Sequence, residues 1–68
     1  MDTQLTNALK VHRTNIKLTQ AQLADMAGIT RKSVNAIEAG KMVPSVVLAL
    51  RLSRVLGTPV ETLFSIQE

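Results

Sequence analysis

Three stretches of the chain open on a hydroxyl side chain and close on a glycine: Thr19 to Gly28, Thr30 to Gly40 and Ser45 to Gly57. Ser or Thr at an N-cap accepts a hydrogen bond from an orphan amide of the first helical turn. Glycine just past a helix takes up the left-handed conformation that ends it. All 3 glycines of the chain stand at such ends. This punctuation confines the chain to short helices. Gln22, three residues after Thr19, completes a capping box, and Leu18 and Leu23 flank it as a hydrophobic staple. Ile29 and Val34 form a second staple around Thr30. The helix opened by Ser45 follows Pro44. Two further helices are expected. One runs from Thr3 to Thr14, with Leu5, Leu9 and His12 or Arg13 on one stripe and Ala8 and Val11 near it. The other is "TPVETLF", with Thr58 as N-cap, Pro59 at the first helical position and Glu61 closing a capping box. No segment alternates with period two for long enough to predict a strand. The expected fold is an all-α bundle of about five short helices, one domain over residues 1–68.

A chain of 68 residues buries only roughly 60% of the surface its unfolded form exposes. With no cysteine, neither a disulfide nor a thiolate metal site adds to that core. The remedies left are a very apolar helical core or a partner subunit. Hydrophobic residues make up 46% of the chain, and Phe64 is its one aromatic residue. The core is therefore aliphatic, which suits packed helices. No apolar run approaches the ~18 residues that cross a membrane. "MDTQLTNALK" lacks the apolar centre of a signal peptide. No membrane association is expected, and cytoplasm is the expected compartment. His12 is the single histidine, and the acids Asp2, Asp25, Glu38, Glu61 and Glu68 are scattered. Nothing in that set forms a nucleophile–base pair, a metal cluster or a phosphate loop. No enzymatic activity, metal or cofactor is expected.

Net charge is +3, a bias compatible with a polyanionic partner but equally with a merely soluble surface. The distribution says more. Arg31 and Lys32 occupy the first turn of the helix opened by Thr30. That is the positive end of the helix dipole, where cations are unfavourable. Two such residues are either plain solvated side chains or wait for an anion from outside. The helices from Thr19 and from Thr30 meet through a short turn at Gly28. Leu23, Ala27, Ile29, Val34 and Ile37 are apolar where both face a shared core, and Ala24 is small where they cross. This is a helix-turn-helix pattern, whose second helix enters the DNA major groove with its first turn toward base edges. Arg and Lys there reach guanine O6 and N7. Ser33 is placed for a base or a phosphate. Asn35 carries donor and acceptor on the same exposed side, so it serves either as a DNA contact or as an ordinary solvated residue. Ala36 offers only apolar contact.

The joint order of "LTQAQLA", the turn Gly28–Ile29, "SVNAIEAGK" with Pro44 beyond it, and "LALRLSRVLGTPVETLF" resembles the Cro and phage-repressor helix-turn-helix family, often called XRE. The likeness covers nearly the whole chain. It implies a lambda-repressor-like fold and double-stranded DNA as partner, with Arg31, Lys32, Ser33 and Asn35 as base-reading residues. It places Thr19, Gln20 and Lys41 on the DNA backbone, with Gln20 also propping the reading helix. It implies an ion pair between Arg13 and Glu38 beneath the motif. Departures stand at Lys17, where many relatives carry Gly, at Ala36, where others carry a long polar residue, and at Val47, where a charge is frequent. Lys10 and Lys17 are expected in solvent, with backbone contact open to both. Family members usually form homodimers, and Met42, Val43, Val47, Phe64 and Ile66 are the candidate dimer residues, some of which must instead close the core.

The function so implied is a sequence-specific transcriptional regulator, a repressor acting as a homodimer on an inverted-repeat operator. Two other readings stay open: an antitoxin that binds a toxin and represses its own operon, and a protein-interaction module that kept the fold.

Overall fold

The computed structural model describes residues 4–67; Thr3, the expected start of the first helix, and the acids Asp2 and Glu68 lie outside them. Along the chain run β1 (Gln4–Asn7), α1 (Leu9–Asn15), α2 (Gln20–Ala27), α3 (Arg31–Glu38), α4 (Val46–Leu56), α5 (Val60–Leu63) and β2 (Phe64–Gln67). The three middle helices begin at the anticipated caps. Thr19 Oγ1 accepts from the Gln22 amide at 3.0 Å while Gln22 Oε1 accepts from the Thr19 amide at 2.8 Å, a complete capping box. Thr30 and Ser45 cap α3 and α4 through the amides of Ser33 and Leu48, both at 3.1 Å. Gly28 ends α2 with φ 72°, and the next amide, Ile29 N–H, reaches back to the Ala24 carbonyl at 2.9 Å. A side chain with a Cβ is strained in that conformation, so the tight turn that aims α3 depends on glycine there.

The core lies where α2 packs on α3 and α4, closed at one end by α1 and α5. Leu9, Leu23, Val34, Ile37, Leu52 and Leu63 are its fully buried large side chains. Each such residue contributes about 1.5–3 kcal/mol by leaving water. Ala24 and Ala27, both 3% exposed, keep α2 close to its neighbours.

The description as all-α needs correction at both ends of the chain. β1 and β2 form a two-stranded antiparallel sheet, with Leu5 opposite Ile66 and Asn7 opposite Phe64. Leu5 therefore stands in a strand, 36% exposed, and not on the stripe of a first helix. The first helix starts only at Leu9, because Asn7 ends the strand and opens the helix. Its Oδ1 accepts from the Leu9 amide at 3.1 Å, its Nδ2 donates to the Ile37 carbonyl at 2.9 Å, and the Ala8 amide donates to the Leu63 carbonyl at 2.8 Å. The fifth helix also starts later than expected. Pro59 is extended (ψ 147°) and acts as the N-cap residue, without a side-chain cap. Thr58 turns away to donate to the Leu56 carbonyl at 3.2 Å, and its own carbonyl accepts from Ser53 Oγ at 2.5 Å. The capping box drawn from Thr58 and Glu61 is absent. Lys17 has φ 60°, the left-handed conformation that Gly supplies at no cost. The first loop so keeps a glycine-like path with a lysine in it.

Candidate nucleic-acid interface

The turn at Gly28 sets α2 and α3 so that the start of one meets the exposed side of the other. A shallow recess forms between them, lined by Gln20, Arg31, Lys32 and Asn35. Gln20 is half-buried and the other three are exposed. No acidic residue stands in the first turn of α2 or α3. Among the described residues the one ion pair joins Arg13 and Glu38, so Arg31 and Lys32 carry charge that no carboxylate neutralises. Cations at a helix N-terminus, unpaired and facing out, are arranged to receive an anion or a row of acceptors.

Beneath the recess lies a polar network that holds α3 against α1 and α2. Arg13 is 7% exposed. Its Nε and Nη2 donate to the two oxygens of Glu38 at 2.7 and 3.1 Å, and its Nη1 donates to the Leu18 carbonyl at 2.8 Å. The fork geometry of guanidinium and carboxylate makes this a strong charge-assisted contact. The hydrogen bond to Glu38 raises the Arg13 pKa above its ordinary value, against the opposing effect of burial, with the Glu38 charge adding to the rise. For Glu38, burial is the largest single influence and pushes the carboxyl upward. The hydrogen bonds from Arg13 and Gln20, with the charges of Arg13 and Lys10, outweigh it and hold the pKa below the ordinary carboxylate value. Glu38 is thus an ionised acceptor.

Gln20 extends this network outward. Its Nε2 donates to Glu38 Oε1 at 3.0 Å and to Asn35 Oδ1 at 3.3 Å. The amide so ties the first residue of α2 to two successive turns of α3. Resemblance placed Gln20 on the DNA backbone and under the reading helix, but sequence alone carries no sign of its link to Asn35.

The other anticipated contact residues are distributed differently. Ser33 is half-buried, and its Oγ accepts from Thr30 Oγ1 at 3.0 Å, which turns it toward the helix cap. Thr19 is engaged in the capping box at the rim of α2. Lys41 is exposed beyond the end of α3, with its amide bonded to the Ala36 carbonyl at 2.9 Å. None of the three lines the recess.

The apolar candidates separate as well. Phe64 is 8% exposed and belongs to the core, so it is withdrawn from the dimer residues: β2 brings its ring inward beside Leu63. Met42 is half-buried against the same core. Val43, Val47 and Ile66 are 73%, 61% and 61% exposed. Val46 and Leu50, which the sequence did not single out, extend the exposed apolar side of α4 beside Val47.

Comparisons with known proteins bear on the fold and the family. A family model described as helix-turn-helix matches residues 9–63. An uncharacterized HTH-type transcriptional regulator of Methanothermobacter thermautotrophicus is 39% identical over 61 residues, 88% of either chain. A second, YgzD of Bacillus subtilis, is 36% identical over 62 residues, 91% of this chain and 94% of its own. Among solved structures, the restriction-modification controller protein C.AhdI from Aeromonas hydrophila superposes with a TM-score of 0.75 at 31% identity, covering 79% of this chain and 82% of that one. The matched span holds α1 through α5, with the recess and the network beneath it, and the chain belongs to the Cro/C1-type helix-turn-helix family.

Proposed function

We propose that this protein is a sequence-specific double-stranded DNA-binding transcriptional regulator, a repressor that acts as a homodimer on an inverted-repeat operator. One observation carries the reading: α3 presents Arg31, Lys32 and Asn35 together with Gln20 in one recess, with the cations free of carboxylates. A first turn built this way matches the acceptor edge of guanine and the phosphates beside it. Lys41, past the end of α3, and the N-terminal end of α2 would fix the protein on the backbone. The family supports the same reading, since its members include HTH-type transcriptional regulators. The mode of action is binding, with no catalysis by this chain, and it takes place in the cytoplasm where the DNA is. Among the described residues no helix is long and apolar enough to cross a membrane.

Size supports the homodimer. One α3 spans only a few base pairs, and two related by a twofold axis read half-sites one helical turn apart. Exposed Val43, Val47 and Ile66 are apolar surface available for such a contact. The test is affinity selection from a random duplex library at about physiological salt, with sequencing of the retained DNA. The expected result is an inverted repeat with half-site centres about 10 base pairs apart or a multiple of it. Weak binding without enrichment, lost as salt rises, would refute the proposal.

A further inference from the structure

The outer side of α4 keeps apolar side chains in water, and two cations stand among them. Leu50 on α4 is 57% exposed, and Met26, at the end of α2, 58%. Arg51 and Arg54, both exposed, border two hollows at once. Met26 and Val55 line the first, Val47 and Leu50 the second. Spaced three residues apart, the arginines share one face of the helix. Neither is paired with a carboxylate among the described residues, and Asp25, the one acid bordering the surface, forms an ion pair with neither. The Arg51 guanidinium is laid across the end of α2: its Nη1 lies 3.7 Å from where a Cβ would stand on Gly28. The negative end of a helix dipole favours a cation there.

Different occupants would meet this surface differently. Phosphates satisfy arginines but leave Met26, Val55 and Leu50 wet, and exposed apolar surface rimmed by polar groups marks protein contact. A second copy brings two more arginines against one aspartate, so a twofold contact here sets like charge on like. Of the dimer candidates only Val47 lines the surface; Val43, and Leu5 opposite Ile66, line a separate recess beside the sheet. None of its residues lines the recess at Arg31 and Lys32. What fits is a segment with carboxylates for the two guanidiniums, whose forks match them, and with apolar side chains on either side for the two hollows.

We propose that α4 and the end of α2 form a docking surface for an acidic amphipathic segment of a partner protein. Arg51 and Arg54 grip its carboxylates, and the hollows beside them take its apolar side chains. The surface shares no residue with the recess assigned to DNA, so it stands independently of the DNA-binding reading.

The probe is a synthetic helical peptide of leucine and glutamate, with its leucines on one face and its glutamates beside them. Two control peptides replace glutamate by lysine or leucine by serine. Each is titrated into the isotope-labelled chain and followed by amide chemical shifts. The leucine–glutamate peptide is expected to move the amides around Met26 and from Leu50 to Arg54, and to bind about tenfold more tightly than either control. Leu50→Ala, at an exposed position that leaves the core intact, is expected to weaken it about fivefold. Arg51→Glu with Arg54→Glu is expected to invert the preference, so that the leucine–lysine peptide binds better than the leucine–glutamate one, which a loss of fold does not produce. No shift at about 1 mM peptide, shifts centred on Arg31 and Lys32, equal binding of the controls, or an unchanged preference in the double variant overturns the proposal. Shifts at Met26 and Leu50 that come with a random duplex, or with rising concentration of the chain alone, and not with the peptide, give the surface to DNA or to a second copy and overturn it too. The regulator reading is tested by the library selection and stands or falls there.

Discussion

Arg13 and Glu38 show how one buried residue pair can serve orientation more than stability. Both side chains are almost fully removed from water, with 9% and 6% of their surface exposed. Desolvating two charges offsets much of what their attraction returns, so a well-packed apolar pair is often no worse. Removing one partner is different, because it strands the other. Glu38→Ala is expected to destabilise the fold by about 3–5 kcal/mol in urea denaturation, and the double replacement Arg13→Met with Glu38→Leu by much less. The pair also makes stability depend on pH. The folded pKa of Glu38 lies below its ordinary value of 4.5. Its contribution is therefore complete above the unfolded value and is lost as pH falls through the folded one. Denaturation midpoints measured between neutral pH and pH ~3 are expected to fall more steeply for the wild type than for the double variant. Lys17 is a second strained point, exposed and held at φ 60°. A left-handed residue with a Cβ costs about 1–2 kcal/mol, and glycine returns roughly half of that relief as added freedom of the unfolded chain. Lys17→Gly is expected to raise stability by up to about 1 kcal/mol, measured by the same unfolding curves.

The elements differ in how far local chemistry determines them. Ser45 accepts from the Leu48 amide at the start of α4, whereas α5 begins on Pro59 with no side-chain cap. Ser45→Ala is expected to cost about 1 kcal/mol and Glu61→Ala close to nothing, a contrast that thermal unfolding of the two variants resolves. The same contrast explains what could be read in the sequence. α2, α3 and α4 were legible because their start signals lie within three residues of the amides they satisfy and their stop signals are glycines. Gly28 and the Ile29–Val34 staple place the turn that makes α2 and α3 a unit, so Arg31, Lys32 and Asn35 could be assigned to one exposed side. β1 was not legible. Its four residues pair with a strand some sixty positions away, and its three leading side chains are all exposed, so no alternation of apolar and polar residues marks it. Leu5 instead mimics a helical spacing with Leu9. Thr58 and Glu61 carry the spacing of a capping box, but Pro59 is extended and delays the helix by one residue. Phe64 was favoured for closing the core while still offered to the dimer surface, because the strand that turns it inward was not foreseen. The link from Gln20 to Asn35 spans fifteen residues and two helices, and only the closed turn brings the two amides together.

At the scale of the molecule, binding must combine attraction for any DNA with preference for one sequence, and the two belong to different residues. A net charge of +3 draws the protein to a polyanion whatever its bases. Lys41 stands outside the recess, past the end of α3, where only the backbone is within reach in a helix-turn-helix docking. In the proposed docking its removal would subtract one phosphate contact from every complex. Lys41→Ala is therefore expected to weaken operator and random duplexes by the same factor, and to reduce the slope of log affinity against log salt by about 1. Arg31 lies inside the recess on the first turn of α3, unpaired, where the proposed docking would bring it to base edges. Arg31→Ala is expected to cost about 1–3 kcal/mol on the operator, far less on random DNA, and to relax preference at one base pair of each half-site. Titrating both variants on both duplexes at two salt concentrations separates the contributions. In a homodimer each substitution is present twice, once per half-site, so an operator cut to a single half-site should show about half the loss in free energy that the full inverted repeat shows. Equal losses on operator and random DNA for Arg31→Ala would place that residue with Lys41, on the backbone. Specificity would then have to come from elsewhere on α3, with Lys32 and Asn35 as the exposed side chains that remain in the recess.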